Sequence, residues 1–228
     1  MNKRVNIKSE TVCNERHSYT ICTAIAIEIC KTSLSIAKSL AKRHPSNIAL
    51  QRDLSISYNR IGDLQFSSGD VREATSNYEA SFEVTRLLAS SHPDNDELQR
   101  DLIGIGQRVG ELLRILGHSI EAQRSYETIL EIAKNRVAED PNNTLSQCDL
   151  VGVHQRLGDI QRINGYDMVA CESYGFALSI AECLVDLDPS NAEWQFHGHL
   201  RTVFEGAGLV QSAHECHQLK IRAHGSAE

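Results

Sequence analysis

Three glycines crowd into GIGQRVG, residues 104–110, and a glycine-rich loop is the backbone arrangement that cradles phosphate. The spacing is GxGxxxG, no Gly-Lys-Ser or Gly-Lys-Thr follows, and the surrounding apolar pattern has a helical period with no strand ahead of it. Neither nucleotide-loop template fits. Ten histidines raise metal chemistry instead, above all HGH (197–199) and HECH (214–217). On a helix His197 and His199 point about 200° apart, which prevents them from sharing an ion. His214 and His217 share a face with Cys216 near them, yet tetrahedral zinc takes three or four ligands, each oriented by a further partner. The seven cysteines, at 13, 22, 30, 148, 171, 183 and 216, form no CxxC pair and are too few for a disulfide scaffold. They read as free thiols in a reducing compartment. Cys148 stands in a column otherwise held by Arg52 and Arg100, which reads as a tolerated surface position and not an activated nucleophile. No metal, no cofactor and no enzyme activity is expected.

Composition narrows the class. Apolar residues make up 41% and charged residues 23% of the 228, with only 4 prolines, as in a soluble helix-rich chain. A net charge of -7 gives no basic footprint for nucleic acid. The N-terminal stretch has basic residues ahead of an apolar run, but Glu10, Glu15 and Glu28 interrupt the pattern of a secretory signal. No segment approaches the ~20 unbroken apolar residues of a membrane span. A cytoplasmic protein without membrane contact is expected.

The elements that must position these residues follow from a repeat. LQRDLSISYNRIGDL begins at Leu50, LQRDLIGIGQRVGEL at Leu98 and SQCDLVGVHQRLGDI at Ser146, each 48 residues after the last. All the prolines, Pro45, Pro93, Pro141 and Pro189, keep the same step. Within a unit, Leu50, Leu54, Ser57, Ile61 and Leu64 and their equivalents fall on one helical face. A second, wider face holds Ala74, Tyr78, Ser81, Phe82 and Thr85 and their equivalents. SSGD (67–70), LGHS (116–119) and NGYD (164–167) separate the two helices, each with a glycine able to end the first. Asp70, Ser119 and Asp167 are expected to cap the second helix, and Ser46, Asp94, Asn142 and Ser190 the next first helix. The column Gly62, Gly110, Gly158 is expected to let the paired helix approach closely.

The order Tyr58, Ile61-Gly62, Gly69, Ala74, Tyr78, with its counterparts at Gly106, Val109-Gly110, Gly117, Ala122, Tyr126 and at His154, Leu157-Gly158, Gly165, Ala170, Tyr174, resembles a tetratricopeptide repeat. The usual unit has 34 residues. A 48-residue unit resembles the long-helix variant, with about two extra turns per helix. The leading tryptophan of the family is missing from every copy. The resemblance implies an all-α fold: a right-handed α-solenoid of antiparallel helix hairpins, a TPR-like superhelix. Units are expected at roughly 20–45, 46–93, 94–141, 142–189 and 190–210, after a divergent or disordered segment 1–19 and before a cap or tail at 211–228. Trp194 and a shifted stripe of Leu200, Phe204, Ala207 and Val210 mark the divergent last helix.

In that family the first helices line a concave groove that holds a peptide or partner helix. Carried over by position, the groove includes Asn59, Asp63 and Phe66; Gln107, Glu111 and Arg114; and Gln155, Asp159 and Arg162. Amides hold a peptide backbone in either direction, acids favour basic side chains, and the arginines suit carboxylates. Arg60, Arg108 and Arg156 precede the acids Asp63, Glu111 and Asp159 by three residues, as either helix-surface pairs or a ladder between neighbouring repeats. The implied function is a non-catalytic scaffold for a protein or peptide partner. The alternative is a self-associating or regulatory repeat segment of a larger bacterial signalling protein, pairing through the repeat ends.

Overall fold

A computed structural model describes residues 24–191. HGH, HECH, Trp194 and the shifted terminal stripe lie outside these residues, as does the segment 1–19. Seven helices follow one another, with no strand among the described residues: α1 over 24–43, then α2 (Ile48–Ser68), α3 (Val71–Ser91), α4 (Asp96–Ile115), α5 (Ser119–Glu139), α6 (Thr144–Ile163) and α7 (Asp167–Leu187). The chain divides into two compact units, one ending at His92 and the other beginning at Pro93. Within the first, α2 packs on α3; within the second, α4 packs on α5, α5 on α6 and α6 on α7.

The same chemistry ends each first helix. Gly69, Gly117 and Gly165 have φ of 90°, 83° and 81°, the left-handed region that a side chain resists. Each permits the paired bonds of a Schellman motif: Gly69 N–H donates to Phe66 O at 3.1 Å and Asp70 N–H to Gln65 O at 2.8 Å, repeated at Gly117–His118 and Gly165–Tyr166. The expected caps of the second helices do not form. The residues preceding α3, α5 and α7 are Asp70, His118 and Tyr166, and none makes a side-chain cap bond; Ser119 and Asp167 are already helical. The structural register puts Asp70 level with His118, one residue from the alignment that SSGD and LGHS suggest. The Asp70 carboxylate accepts from Ser68 Oγ at 3.0 Å instead.

The second helices end because the next residue but one is proline, which drives the residue before it out of the helical region. His92, Asp140 and Asp188 take φ between -135° and -145°. The first helices are capped by Asn47, Asn95 and Asn143, whose side chains accept from Leu50, Leu98 and Ser146 N–H at 3.2, 3.1 and 3.1 Å. The cap is therefore one residue later than Ser46, Asp94 and Asn142, because the proline turn needs two residues before the chain can re-enter a helix. Gln51, Gln99 and Gln147 then fold back to donate to the carbonyls of Pro45, Pro93 and Pro141, at 3.3, 3.2 and 2.6 Å. This tie accounts for the glutamine in every LQRD or SQCD string.

In the second unit α5 lies between its neighbours, with Tyr126, Ile129, Leu130 and Ala133 buried against Ile103 of α4 and Leu150, Val153 and Leu157 of α6. A second cluster joins Val151 of α6 to Ala170, Tyr174, Ala177, Ala181 and Leu184 of α7, and half-buried Cys148 packs on it. Cys148 is thus part of a packed face, which corrects its assignment to the surface: a thiol is apolar enough to pack there, whereas Arg100 in the same column is exposed. Cys30, Cys148, Cys171 and Cys183 are free thiols. By length and composition α7 is the one helix among the described residues able to cross a membrane. Half of that stretch is buried, with Ala170, Tyr174, Ala177, Ala181 and Leu184 packed against Val151 of α6, and Glu172 and Glu182 interrupt it.

Some cores are polar. In the first unit Ser55 of α2 meets Ser81 and Thr85 of α3, hydroxyl to hydroxyl, with Ser81 Oγ 2.9 Å from Ser55 Oγ. The same columns hold Ile103, Ile129 and Ala133 in the next hairpin. A satisfied hydroxyl cluster can replace an apolar layer because every buried polar group has a partner.

Candidate functional site

Helix α4 carries GIGQRVG in its middle. Gly104 is exposed, Gly106 lies in the core and accepts from Ser125 Oγ at 3.3 Å, and Gly110 faces the ring of Tyr126. Each member of the glycine column meets the tyrosine of its own hairpin: a Cβ would fall 2.6 Å from the Tyr78 ring at Gly62, 2.6 Å from Tyr126 at Gly110 and 2.5 Å from Tyr174 at Gly158. The close approach is therefore that of a ring lodged against bare backbone.

The tyrosines reach past the glycines to the next residue. Tyr78 OH donates to Asp63 Oδ1 and Tyr174 OH to Asp159 Oδ1, both at 2.6 Å. Burial, then the bond to Asp159, pushes the Tyr174 phenol above its ordinary value. In the middle hairpin the acid is one methylene longer. Glu111 takes a bidentate pair from Arg114, with Nη2 to Oε1 at 2.6 Å and Nε to Oε2 at 2.9 Å. Arg156 of α6 approaches the same carboxylate at 3.7 Å. The Arg114 hydrogen bond, more than its charge, holds Glu111 below the usual carboxylate range. Burial pushes the neighbouring Tyr126 phenol up to about 12.

The structure treats the nine sequence-derived site residues unequally. In the first unit Asn59 is half-buried, with a shielded Oδ1 that accepts no hydrogen bond among the described residues, Asp63 is taken by Tyr78, and Phe66 is exposed. In the second unit α4 and α6 touch. Gln107 of α4 lies near Gly152 of α6, where a Cβ would stand 3.4 Å from its Nε2. Glu111, Arg114 and Arg156 close the same seam, and Gln155 is half-buried beside exposed Asp159 and Arg162. Of the arrangements foreseen for Arg60, Arg108 and Arg156, the cross-repeat one occurs at Arg156–Glu111; the helix-surface pair of Glu111 is made by Arg114, and Arg100–Asp149 adds a cross-repeat contact at 3.4 Å.

Two features escaped the sequence pattern. Arg136 occupies a column that is leucine at 40, 88 and 184. Its buried guanidinium donates from Nε to Asp96 at 2.8 Å and from Nη1 to Asp149 at 2.7 Å, tying α5 to α4 and α6. His154 is buried against Phe176, with ring centroids 5.2 Å apart, and its Nδ1 has no hydrogen-bond partner among the described residues. The signal for Arg136 was available as the one charge in a leucine column.

Helix pairs in register, glycine-seated tyrosines and proline-ended second helices define an all-α helical-repeat fold of the TPR-like kind. Two solved structures share this fold. A substituted form of a Podosopora anserina protein named for kinesin light chain, with nearly identical TPR-like repeats, matches with a TM-score of 0.56 and 19% identity, over 98% of this chain and 96% of its own. Another structure of these Podosopora anserina repeats matches with a TM-score of 0.50 and 21% identity over 100% of both chains. BtubC (BKLC) from P. vanneervenii matches with a TM-score of 0.46 and 18% identity, over 90% of this chain and 93% of that one. No family model and no curated protein sequence matches the chain.

Proposed function

We propose that the chain is a non-catalytic scaffold whose first helices hold an extended peptide or a helix of a partner protein. The observation that carries this reading is the seam between α4 and α6, where half-buried Gln107 lies with arginines at a partly open surface, and half-buried Gln155 holds the same column on α6. Half-buried amides with fixed surroundings lose little freedom when they bond a peptide backbone, so recognition there is favoured over recognition by free surface side chains. In the first unit exposed Phe66 supplies an apolar contact on the corresponding first helix.

The acids take a different role from the one their positions suggest. Asp63 and Asp159 accept the hydroxyls of their own hairpins, so a partner would compete for them with a buried phenol. Arg114 is half engaged with Glu111, and exposed Arg162 is the more accessible contact for a partner carboxylate. The test is capture of peptides from a displayed library by the full chain and by Gln107→Ala, Gln155→Ala and Arg162→Glu together. Loss of capture with an unchanged melting curve supports the seam. Unchanged capture removes it.

A further inference from the structure

The hairpin turns of the second unit carry an apolar surface that the fold does not require. Ile115, Leu116 and Ile120 flank the α4–α5 turn at 44%, 44% and 48% exposure, and Ile163, Met168 and Val169 flank the α6–α7 turn at 54%, 69% and 48%. Tyr166, between them, is exposed as well. The first unit provides an internal control. Its turn has the same left-handed glycine and the same pair of closing hydrogen bonds, yet Ser67 stands in the column of Ile115 and Ile163, Ser68 in that of Leu116, and Arg72 in that of Ile120 and Met168. Polar residues therefore serve this turn equally well. The two apolar turns are joined, since Asn164 Nδ2 of one donates to Ser119 O at 3.4 Å and to Gln123 Oε1 at 2.8 Å at the other.

Seven large side chains about half exposed present on the order of 500 Å² of apolar surface, in the range where a patch on a soluble protein marks an interface. With its polar rim this approaches the ~800 Å² per partner of a standard interface. The rim has both signs: exposed Arg162 and Arg124 stand near exposed Asp167 and Glu121. A surface with an apolar centre and both charges at its edge is self-complementary under a two-fold axis, whereas acidic residues at the rim disfavour an anionic lipid surface. We infer that the turn edge of the second unit is a docking surface for a second copy of this chain, giving a two-fold dimer. The apolar centre of this surface shares no residue with the proposed peptide site, which meets it only at Arg162 on the rim, and the variants below leave Gln107, Gln155 and Arg162 in place, so it stands whether or not the seam binds peptide.

The experiment is a concentration series by sedimentation equilibrium on the full chain. One variant exchanges the turns for their first-unit residues, Ile115→Ser, Ile120→Arg, Ile163→Ser and Met168→Arg; a second carries only Leu116→Ser and Met168→Arg. A dimer is expected for the parent chain, and association weakened by about 100-fold or more in the fourfold variant, with the milder variant between them. Circular dichroism is expected to be unchanged, because the first unit builds the same turn from these residues. A parent chain that stays monomeric to about 100 µM would overturn the inference, and so would a dimer indifferent to both variants, which would place pairing at the repeat ends. Preferential capture of liposomes by the parent over the fourfold variant, with no dimer, would also overturn it.

Discussion

The ring of Tyr126 lies so close over Gly110 that a methyl group on that glycine would meet Cε1 at 2.6 Å. Earlier in the same helix, a methyl on Gly104 would meet nothing within 4 Å. The two glycines of one short string thus have opposite physical meanings, and this separates them by experiment.

Gly104→Ala is expected to stabilise the chain by up to about 1 kcal/mol, the intrinsic helix preference of alanine over glycine. Gly110→Ala gains the same preference but must displace a fully buried ring, and overpacking of a tight core commonly costs about 1–3 kcal/mol, so a net loss of up to about 2 kcal/mol is expected. Urea unfolding of the two variants checks the contrast. Stabilisation by both would mean that the ring moves aside freely.

Acid is expected to weaken the second unit through His154. Burial, with a smaller contribution from Lys134, lowers its pKa from 6.5 to about 4. Above pH 6.5 both folded and unfolded chains hold it neutral, and its contribution to stability is fully present. As pH falls below 6.5 the unfolded chain takes up a proton that the folded chain refuses until about pH 4, so stability is lost across that window. Between about pH 7.5 and about pH 5 the loss is about 2 kcal/mol. His154→Phe is expected to flatten this part of the profile. The carboxylates held low, Asp96 and Glu111, add their own loss only at more acid pH.

Arg136 offers a test of a buried charge in a repeat. Arg136→Ala leaves Asp149 part-buried and opens a hole between three helices, with an expected cost of about 3 kcal/mol. Arg136→Leu restores the residue of the neighbouring repeats, and Asp149 keeps Arg100 at 3.4 Å, so most of that loss is expected to be recovered. Thermal melts of the two variants decide it. Equal destabilisation would show that the ion pairs, and not the filled volume, hold α5 in place.

The sequence by itself determined the period of 48, the two helices per unit, the turn glycines and the prolines that separate units. These are local demands: a left-handed backbone, a missing amide hydrogen and a face that repeats every three or four residues act within one or two turns of chain. Even here the local signal lost one residue of register, because Asp70 and Ser119 look like equivalent caps while Gly69 and Gly117 fix the true alignment. The tertiary structure decided what each repeated polar residue does. That Asp63 and Asp159 answer a tyrosine of the opposite helix, that Glu111 instead joins Arg114 and Arg156, and that Arg136 reaches acids on two other helices depend on distances across packed faces. Periodicity assigns a residue to a face of its own helix, whereas its partner is set by the packing of the helices around it.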